Sequence, residues 1–139
     1  MDNAPARFGE KGAKGLTRIR RALIYSFEGL GSAFIHEEAF RMEVVALVVL
    51  TPMAFVMPVS WFFRALLIAA VLLVMVVELL NSAVEAVVDY ISKDKHPLAK
   101  RAKDMASAAV FLSVITCAAI WGIAIYSSLD AIMAMLGFR

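Results

Sequence analysis

The stretch "VVELLNSAVEAVVD", residues 76–89, decides the fold of this chain and raises the question of its function. It follows thirteen unbroken apolar residues, "ALLIAAVLLVMVV" at 65–77, and continues the same membrane-type helix. The stretch nevertheless contains three carboxylates and an amide, on Glu78, Glu85, Asp89 and Asn81. Ionisable side chains inside a membrane helix are costly, so this pattern predicts a functional site.

The polar side chains of this helix lie on one narrow face. At about 100° per residue, Glu85 and Asp89 each lie about 20° from Glu78 around the helix axis. Asn81 lies about 60° away on one side and Ser82 about 40° away on the other, while the opposite face stays apolar. The alignment predicts that the polar groups act together.

The depth of Glu78 follows from its distance to Trp61, which we take as a marker of the outer membrane interface. Glu78 lies about 25 Å further along the axis, near the inner edge of a hydrocarbon core roughly 30 Å thick. Glu85 and Asp89 then reach the cytoplasmic headgroup region. Buried polar groups need partners, so Glu78 and Asn81 predict a site and association with other copies of the chain.

Composition supports a membrane protein. The chain has 139 residues, of which 62% are hydrophobic and 19% charged. Soluble domains contain roughly half apolar and about a quarter charged residues. The single Cys excludes an intramolecular disulfide, and the seven glycines form no phosphate-binding GxxxxGK or GxGxxG loop.

These patterns predict an all-α integral membrane protein with one membrane domain over 1–139. We predict a flexible N-terminus at 1–15 and a surface helix at 16–35. Three transmembrane helices follow at 38–57, 61–91 and 104–127, with a cytoplasmic loop at 92–103 and an outer tail at 128–139. The surface helix rests on an apolar stripe at Ile19, Leu23, Phe27, Leu30 and Phe34, flanked by arginines. The simpler alternative is a juxtamembrane segment that only anchors the chain.

Basic residues predict the orientation. They lie before the first span and in the 92–103 loop, whereas the loop between the first two spans has only Arg64. The positive-inside rule then places the N-terminus and the 92–103 loop in the cytoplasm and the C-terminus outside.

Further charged residues gather at the same cytoplasmic depth. Glu37, Glu38 and Glu43 lie at the start of the first span, and Lys103, Asp104 and Ser107 at the start of the third. Carboxylates from two helices suit Mg²⁺, and lysines beside them suit phosphate. The alternative for Glu85 and Asp89 is ordinary interfacial pairing with Lys93 or Arg101.

Four segments together resemble the small integral-membrane prokaryotic diacylglycerol kinases. They are "TRIRRALIYS" (17–26), "FRMEVVALVV" (40–49), "ELLNSAVEAVVD" (78–89) and "RAKDMASAAV" (101–110), within a resemblance that covers roughly 16–126. The resemblance implies a homotrimer with composite sites between protomers in the bacterial inner membrane. It also implies a kinase that uses ATP and Mg²⁺ to convert diacylglycerol to phosphatidic acid.

The same resemblance assigns roles to individual residues. Glu78 matches the catalytic base, and Glu37 and Glu85 match the Mg²⁺ ligands. The expected ATP contacts are Arg18, Tyr25, Glu37, Glu85, Asp94, Lys95, His96, Lys103 and Asp104. The expected lipid contacts are Arg18, Glu78, Asn81 and Ser107.

Three alternatives remain open on the sequence. The lipid substrate could be undecaprenol, which relatives in other bacteria phosphorylate. A small proton-coupled transporter could use Glu78 to carry its proton, although it would not need Lys103, Asp104 and Glu85 together. A structural oligomer could use the polar face only to fix its assembly.

Overall fold

A computed structural model describes residues 15–91 and 94–137 of this chain. Four α-helices occupy these residues, in agreement with the predicted all-α class. They are α1 (Leu16–His36), α2 (Glu38–Val56), α3 (Trp61–Ile91) and α4 (Pro97–Met135). The predicted flexible N-terminus, apart from Gly15, lies outside the described residues.

Three of these helices are long and apolar enough to cross a membrane, as the sequence predicts. They comprise all of α2, all of α3, and the part of α4 from Pro97 to Leu129. At 1.5 Å per residue, the 31 residues of α3 extend about 46 Å, further than a hydrocarbon core of about 30 Å. The polar end of α3 therefore has room to reach beyond the hydrocarbon.

Helix α4 is longer at both ends than the predicted 104–127 span. It begins at Pro97, inside the segment predicted as a loop, because proline fits the first helical position, where no N–H is needed. His96 precedes it: its Nδ1 accepts a bond from the Leu98 N–H (3.2 Å), and its carbonyl accepts one from the Lys100 N–H (3.0 Å). At the other end the helix continues to Met135, and Gly137 adopts a positive φ of 79° that suits a C-terminal stop.

Arg64 closes the turn between α2 and α3. Pro58 ends α2 and has no N–H to donate to the carbonyl of Ala54. The Arg64 Nε donates to that carbonyl at 2.8 Å, and its Nη2 donates to the Met57 carbonyl at 3.2 Å. The guanidinium also lies 4.4 Å from the centroid of the Trp61 ring, a cation–π contact. The Arg64 side chain therefore supplies hydrogen-bond donors to two carbonyls at the end of α2 and holds that end against α3.

Helix α3 lies between α2 and α4 and contacts both. Near the turn, a small core forms from Ala54, Met57, Leu67, Val71, Trp121 and Ala124. The Trp121 Nε1 donates to the Leu67 carbonyl at 3.3 Å and joins α4 to α3. Because the helices run antiparallel, Lys103 comes level with Glu85, each eighteen residues from this contact.

Candidate active site

Glu37 occupies the joint between α1 and α2. Its backbone is extended (φ −107°, ψ 115°), which separates the two helices, while its N–H still donates to the Ala33 carbonyl at 2.8 Å. The Arg41 Nη1 donates to the Phe34 and Ile35 carbonyls, both at 3.2 Å, and so satisfies the C-terminal end of α1. These bonds hold the Glu37 carboxylate at a defined corner of the molecule.

Four carboxylates from this joint, α2 and α3 gather at the same end of the protein. Glu78 on α3 is 5% exposed, which makes it a buried ionisable side chain within a spanning helix. Its carboxylate is close enough to those of Glu37 and Glu85 to interact with both electrostatically. Glu43 on α2 interacts with Glu78 in the same way. The structure thus brings together Glu37, Glu78 and Glu85, which the sequence predicts as a site.

Two buried oxygens in this region lack a hydrogen-bond donor among the described residues. They are Oε2 of Glu43 and Oδ1 of Asn81. A buried acceptor without a partner loses roughly 1–3 kcal/mol relative to a satisfied one. A hydroxyl group, a cation or a hydrogen-bond donor from another chain would therefore complete the bonding of each atom.

The carboxylate and amide oxygens of this region are ligands of the type that a hard divalent cation prefers. Mg²⁺ prefers oxygen ligands and is usually held by one or two carboxylates together with phosphate oxygens and water. Across the part of the chain that the structure describes, no three His, Cys, Asp or Glu side chains are grouped closely enough to hold a metal ion. A cation beside Glu37 and Glu85 would therefore take its other ligands from water or a phosphate.

An open cleft of about 710 Å³ lies beside the carboxylates, between the end of α3 and the start of α4. Its lining includes five of the predicted ATP contacts: Asp94, Lys95, His96, Lys103 and Asp104. Two ion pairs contribute to this lining. Lys100 pairs with Asp104 within α4, and Lys103 of α4 pairs with Asp89 of α3 at 2.7 Å between Nζ and Oδ1. The cleft thus offers cationic and anionic groups side by side.

Asp89 forms an ion pair with Lys103. The sequence left interfacial pairing with Lys93 or Arg101 open as an alternative, and Arg101 is not the partner that the structure shows. The antiparallel register explains this, because it brings Lys103 of α4 alongside the end of α3. Arg101, two residues earlier, lies on another side of α4 and is exposed. Lys93 lies outside the described residues.

Three predicted site residues belong neither to the carboxylate group nor to the lining of the cleft. Arg18 and Tyr25 are exposed on α1, which contacts α2, and Ser107 is exposed on α4 one turn beyond Lys103. None of them is among the described residues that line the cleft. Within a single protomer, the structure does not bring α1 residues to the predicted ATP contacts of α4.

Glu43 was predicted to lie at the depth of the site, but no role was assigned to it. Its membership of the carboxylate group depends on the packing of α2 against α3, which aligns it with Glu78 and buries one of its oxygens. The signal in the sequence is a glutamate followed directly by the apolar run "VVALVVL". An acidic residue at the edge of a spanning helix needs a partner or a function.

Three membrane-length helices, with a buried carboxylate and a charged cleft toward one end, define a membrane protein with a polar site. The family model for prokaryotic diacylglycerol kinase matches residues 24–125. The diacylglycerol kinase of Pseudomonas aeruginosa is 51% identical over 111 residues, which cover 80% of this chain and 90% of that protein. The chain therefore belongs to the prokaryotic diacylglycerol kinase family.

Two further relatives show the same extent of similarity. The diacylglycerol kinase of Escherichia coli K12 is 49% identical over 81% of this chain and 93% of its own length. That of Haemophilus influenzae is 45% identical over 78% of this chain and 92% of its own length. The resemblance stated from four short segments is thereby confirmed, and with it the enzyme class, a kinase that uses ATP as co-substrate.

Proposed function

We propose that this chain transfers the γ-phosphate of MgATP to the hydroxyl of diacylglycerol and so makes phosphatidic acid. The reaction takes place at the cytoplasmic face of the bacterial inner membrane. The observation that carries the proposal is Glu78, a buried carboxylate on a spanning helix, grouped with Glu37 and Glu85 at the end of the protein that also holds an open charged cleft. Family membership supplies the substrate class.

The position of Glu78 suits a base for a lipid alcohol. Phosphoryl transfer depends mainly on alignment and on neutralising charge, so the protein must bring the lipid hydroxyl and the nucleotide together. Diacylglycerol arrives through the hydrocarbon and ATP through water, and Glu78 lies at the boundary. It accepts the hydroxyl proton as the oxygen attacks the γ-phosphorus. Asn81 and Ser107 orient the lipid beside it.

The cleft binds the nucleotide. Lys103 supplies positive charge to the phosphates, while Asp94, Lys95, His96 and Asp104 line the remainder of the pocket. Glu37 and Glu85 would hold Mg²⁺, which would supply positive charge to the transferring phosphate. Arg18 and Tyr25 of α1 complete the ATP contacts, and Arg18 also faces the lipid.

Topology and assembly belong to the same proposal. The N-terminus and the α3–α4 connection lie in the cytoplasm, the C-terminus lies outside, and α1 rests on the membrane surface as an amphipathic helix. The apolar residues of α1 support this, since Ile19, Leu23 and Phe27 are all exposed in the protomer. Three protomers form a homotrimer with sites between neighbours. The donor-free oxygens of Glu43 and Asn81 and the exposed arginine and tyrosine of α1 support shared sites.

A lipid phosphorylation assay tests the proposal. The protein, purified in detergent micelles with Mg²⁺ and ATP labelled on the γ-phosphate, receives either diacylglycerol or undecaprenol. We expect rapid label in extracted phosphatidic acid and slower label in the polyprenol. Faster labelling of undecaprenol would replace the substrate. No label in either lipid, together with Glu78-dependent proton flux in liposomes, would replace the kinase with a transporter.

A further inference from the structure

The ammonium of Lys103 lies within reach of two carboxylates of α3. Its Nζ is 2.7 Å from Oδ1 of Asp89, and the two side chains form a hydrogen-bonded ion pair. Glu85, one turn earlier on the same face, is close enough to interact with it electrostatically. The register set by Trp121 and Leu67 places Lys103 level with both. One cation therefore has two available partners, and it bonds to Asp89.

The two carboxylates face different parts of the site. Asp89 lines the cleft, and its side chain is 59% exposed. Glu85 is partly buried and faces Glu78, and it is not among the described residues that line the cleft. The choice between these partners decides whether the Lys103 charge is presented to the cleft or to the carboxylates behind it.

We propose that Asp89 is a positioning residue, which holds the Lys103 ammonium at the cleft and prevents it from pairing with Glu85. The inference rests on the proposed function, because it takes nucleotide phosphate as the ligand of Lys103. An exposed ion pair is weak, so a phosphate with several charged oxygens displaces the single Asp89 carboxylate. An ion pair between Lys103 and the less exposed Glu85 is less screened by water, so a phosphate displaces it less readily.

Asp89→Asn tests this, since it removes the charge and keeps the size of the side chain. We expect Lys103 to turn to Glu85, so that the KM for ATP rises about 3- to 10-fold while kcat stays within about twofold. A fluorescent ATP analogue, titrated without lipid in Mg²⁺ and again in EDTA, should bind more weakly by a similar factor. Asp89→Glu restores both values, because a carboxylate again meets the ammonium.

A double-mutant cycle separates positioning from a direct contact with ATP. Lys103→Met weakens binding of the analogue, and adding Asp89→Asn to it should cause no further loss, because there is no ammonium left to position. Additive losses would overturn the inference, since Asp89 would then act independently of Lys103. Glu38→Gln, an exposed carboxylate outside the cleft, is the control and should change neither constant.

The outcomes distinguish this inference from the proposed function. A wild-type protein that binds the analogue but phosphorylates neither lipid contradicts the kinase, while the binding cycle still decides the role of Asp89. A wild-type protein that phosphorylates diacylglycerol, with Asp89→Asn equal to it in KM and in binding, contradicts only the role of Asp89. A lower KM in Asp89→Asn would mean that the carboxylate competes with phosphate, and it would also overturn the inference.

Discussion

At the scale of single residues, burial separates the carboxylates by role. Glu78 is buried within a spanning helix, whereas Asp89, eleven residues later on the same face, is exposed at the cleft and paired with Lys103. A carboxylate at this depth is costly to keep, because water cannot solvate it fully. The proposed role of Glu78 as the base for the lipid hydroxyl gives a reason for this cost.

Replacement of Glu78 tests that role directly. Glu78→Gln keeps the shape and hydrogen-bonding capacity of the side chain but cannot accept the proton. We expect diacylglycerol phosphorylation to fall by about 10²- to 10⁴-fold, the usual contribution of a general base. The initial rate of label transfer measures it, and the elution volume of the detergent complex checks assembly. Undiminished activity would assign the base to another group.

Glu37 and Glu38 provide a matched pair for the metal role. They are neighbours at the α1–α2 joint, and only Glu37 interacts with Glu78, while Glu38 is exposed. Glu37→Gln should raise the Mg²⁺ concentration for half-maximal activity by about tenfold, since a metal site loses one of its two carboxylates. Glu38→Gln should leave the Mg²⁺ dependence unchanged. Equal curves for the two variants would exclude Glu37 as a ligand.

The sequence predicts some of these residues better than others. Glu78, Asn81 and Glu85 stand out because polar groups on one face of an apolar helix are visible from spacing alone. The partner of Asp89 and the interaction of Glu43 with Glu78 were not visible, because both depend on the register between two packed helices. That register is set far away by the Trp121 bond to Leu67 and by the core around it.

At the scale of helices, local chain chemistry decides where each element ends. Pro58 stops α2, and Arg64 supplies the donor that Ala54 loses to the proline. In contrast, the predicted end of the last span near residue 127 rested on hydropathy, and hydropathy does not stop a helix. Without proline or glycine between 123 and 136, α4 continues to Met135. Membrane spans are predicted by composition, but helix ends are predicted by caps and breakers.

The turn between α2 and α3 gives a stability prediction. Arg64→Met keeps an apolar stem over Trp61 but leaves the Ala54 carbonyl without its donor, at a cost of about 1–3 kcal/mol. Thermal unfolding of the purified protein in detergent should occur at a lower temperature. In a Pro58→Ala background, which restores an N–H for that carbonyl, the same change should cost less. An equal loss in both backgrounds would show that the carbonyl bond is not the cause.

At the scale of the whole molecule, the predicted ATP contacts are divided between two separate parts of the protomer. Arg18 and Tyr25, expected to contact ATP, do not line the cleft of their own protomer, whereas Glu85 and Lys103 lie together in one chain. The proposed homotrimer would account for this, because α1 of one protomer would then contact the cleft of the next. A cyclic trimer repeats the same heterologous contact three times.

Subunit mixing tests whether the sites are shared. Arg18→Met and Lys103→Met variants, each inactive alone, are unfolded, mixed in equal amounts and reassembled. If neighbours supply these two residues, random assembly leaves about a quarter of the sites with both intact, and about a quarter of wild-type activity should return. Glu85→Gln mixed with Lys103→Met is the control: both residues lie in one protomer, so no activity should return. Absence of recovery in the first mixture would mean that each protomer uses its own α1, and that α1 must move to reach its own cleft.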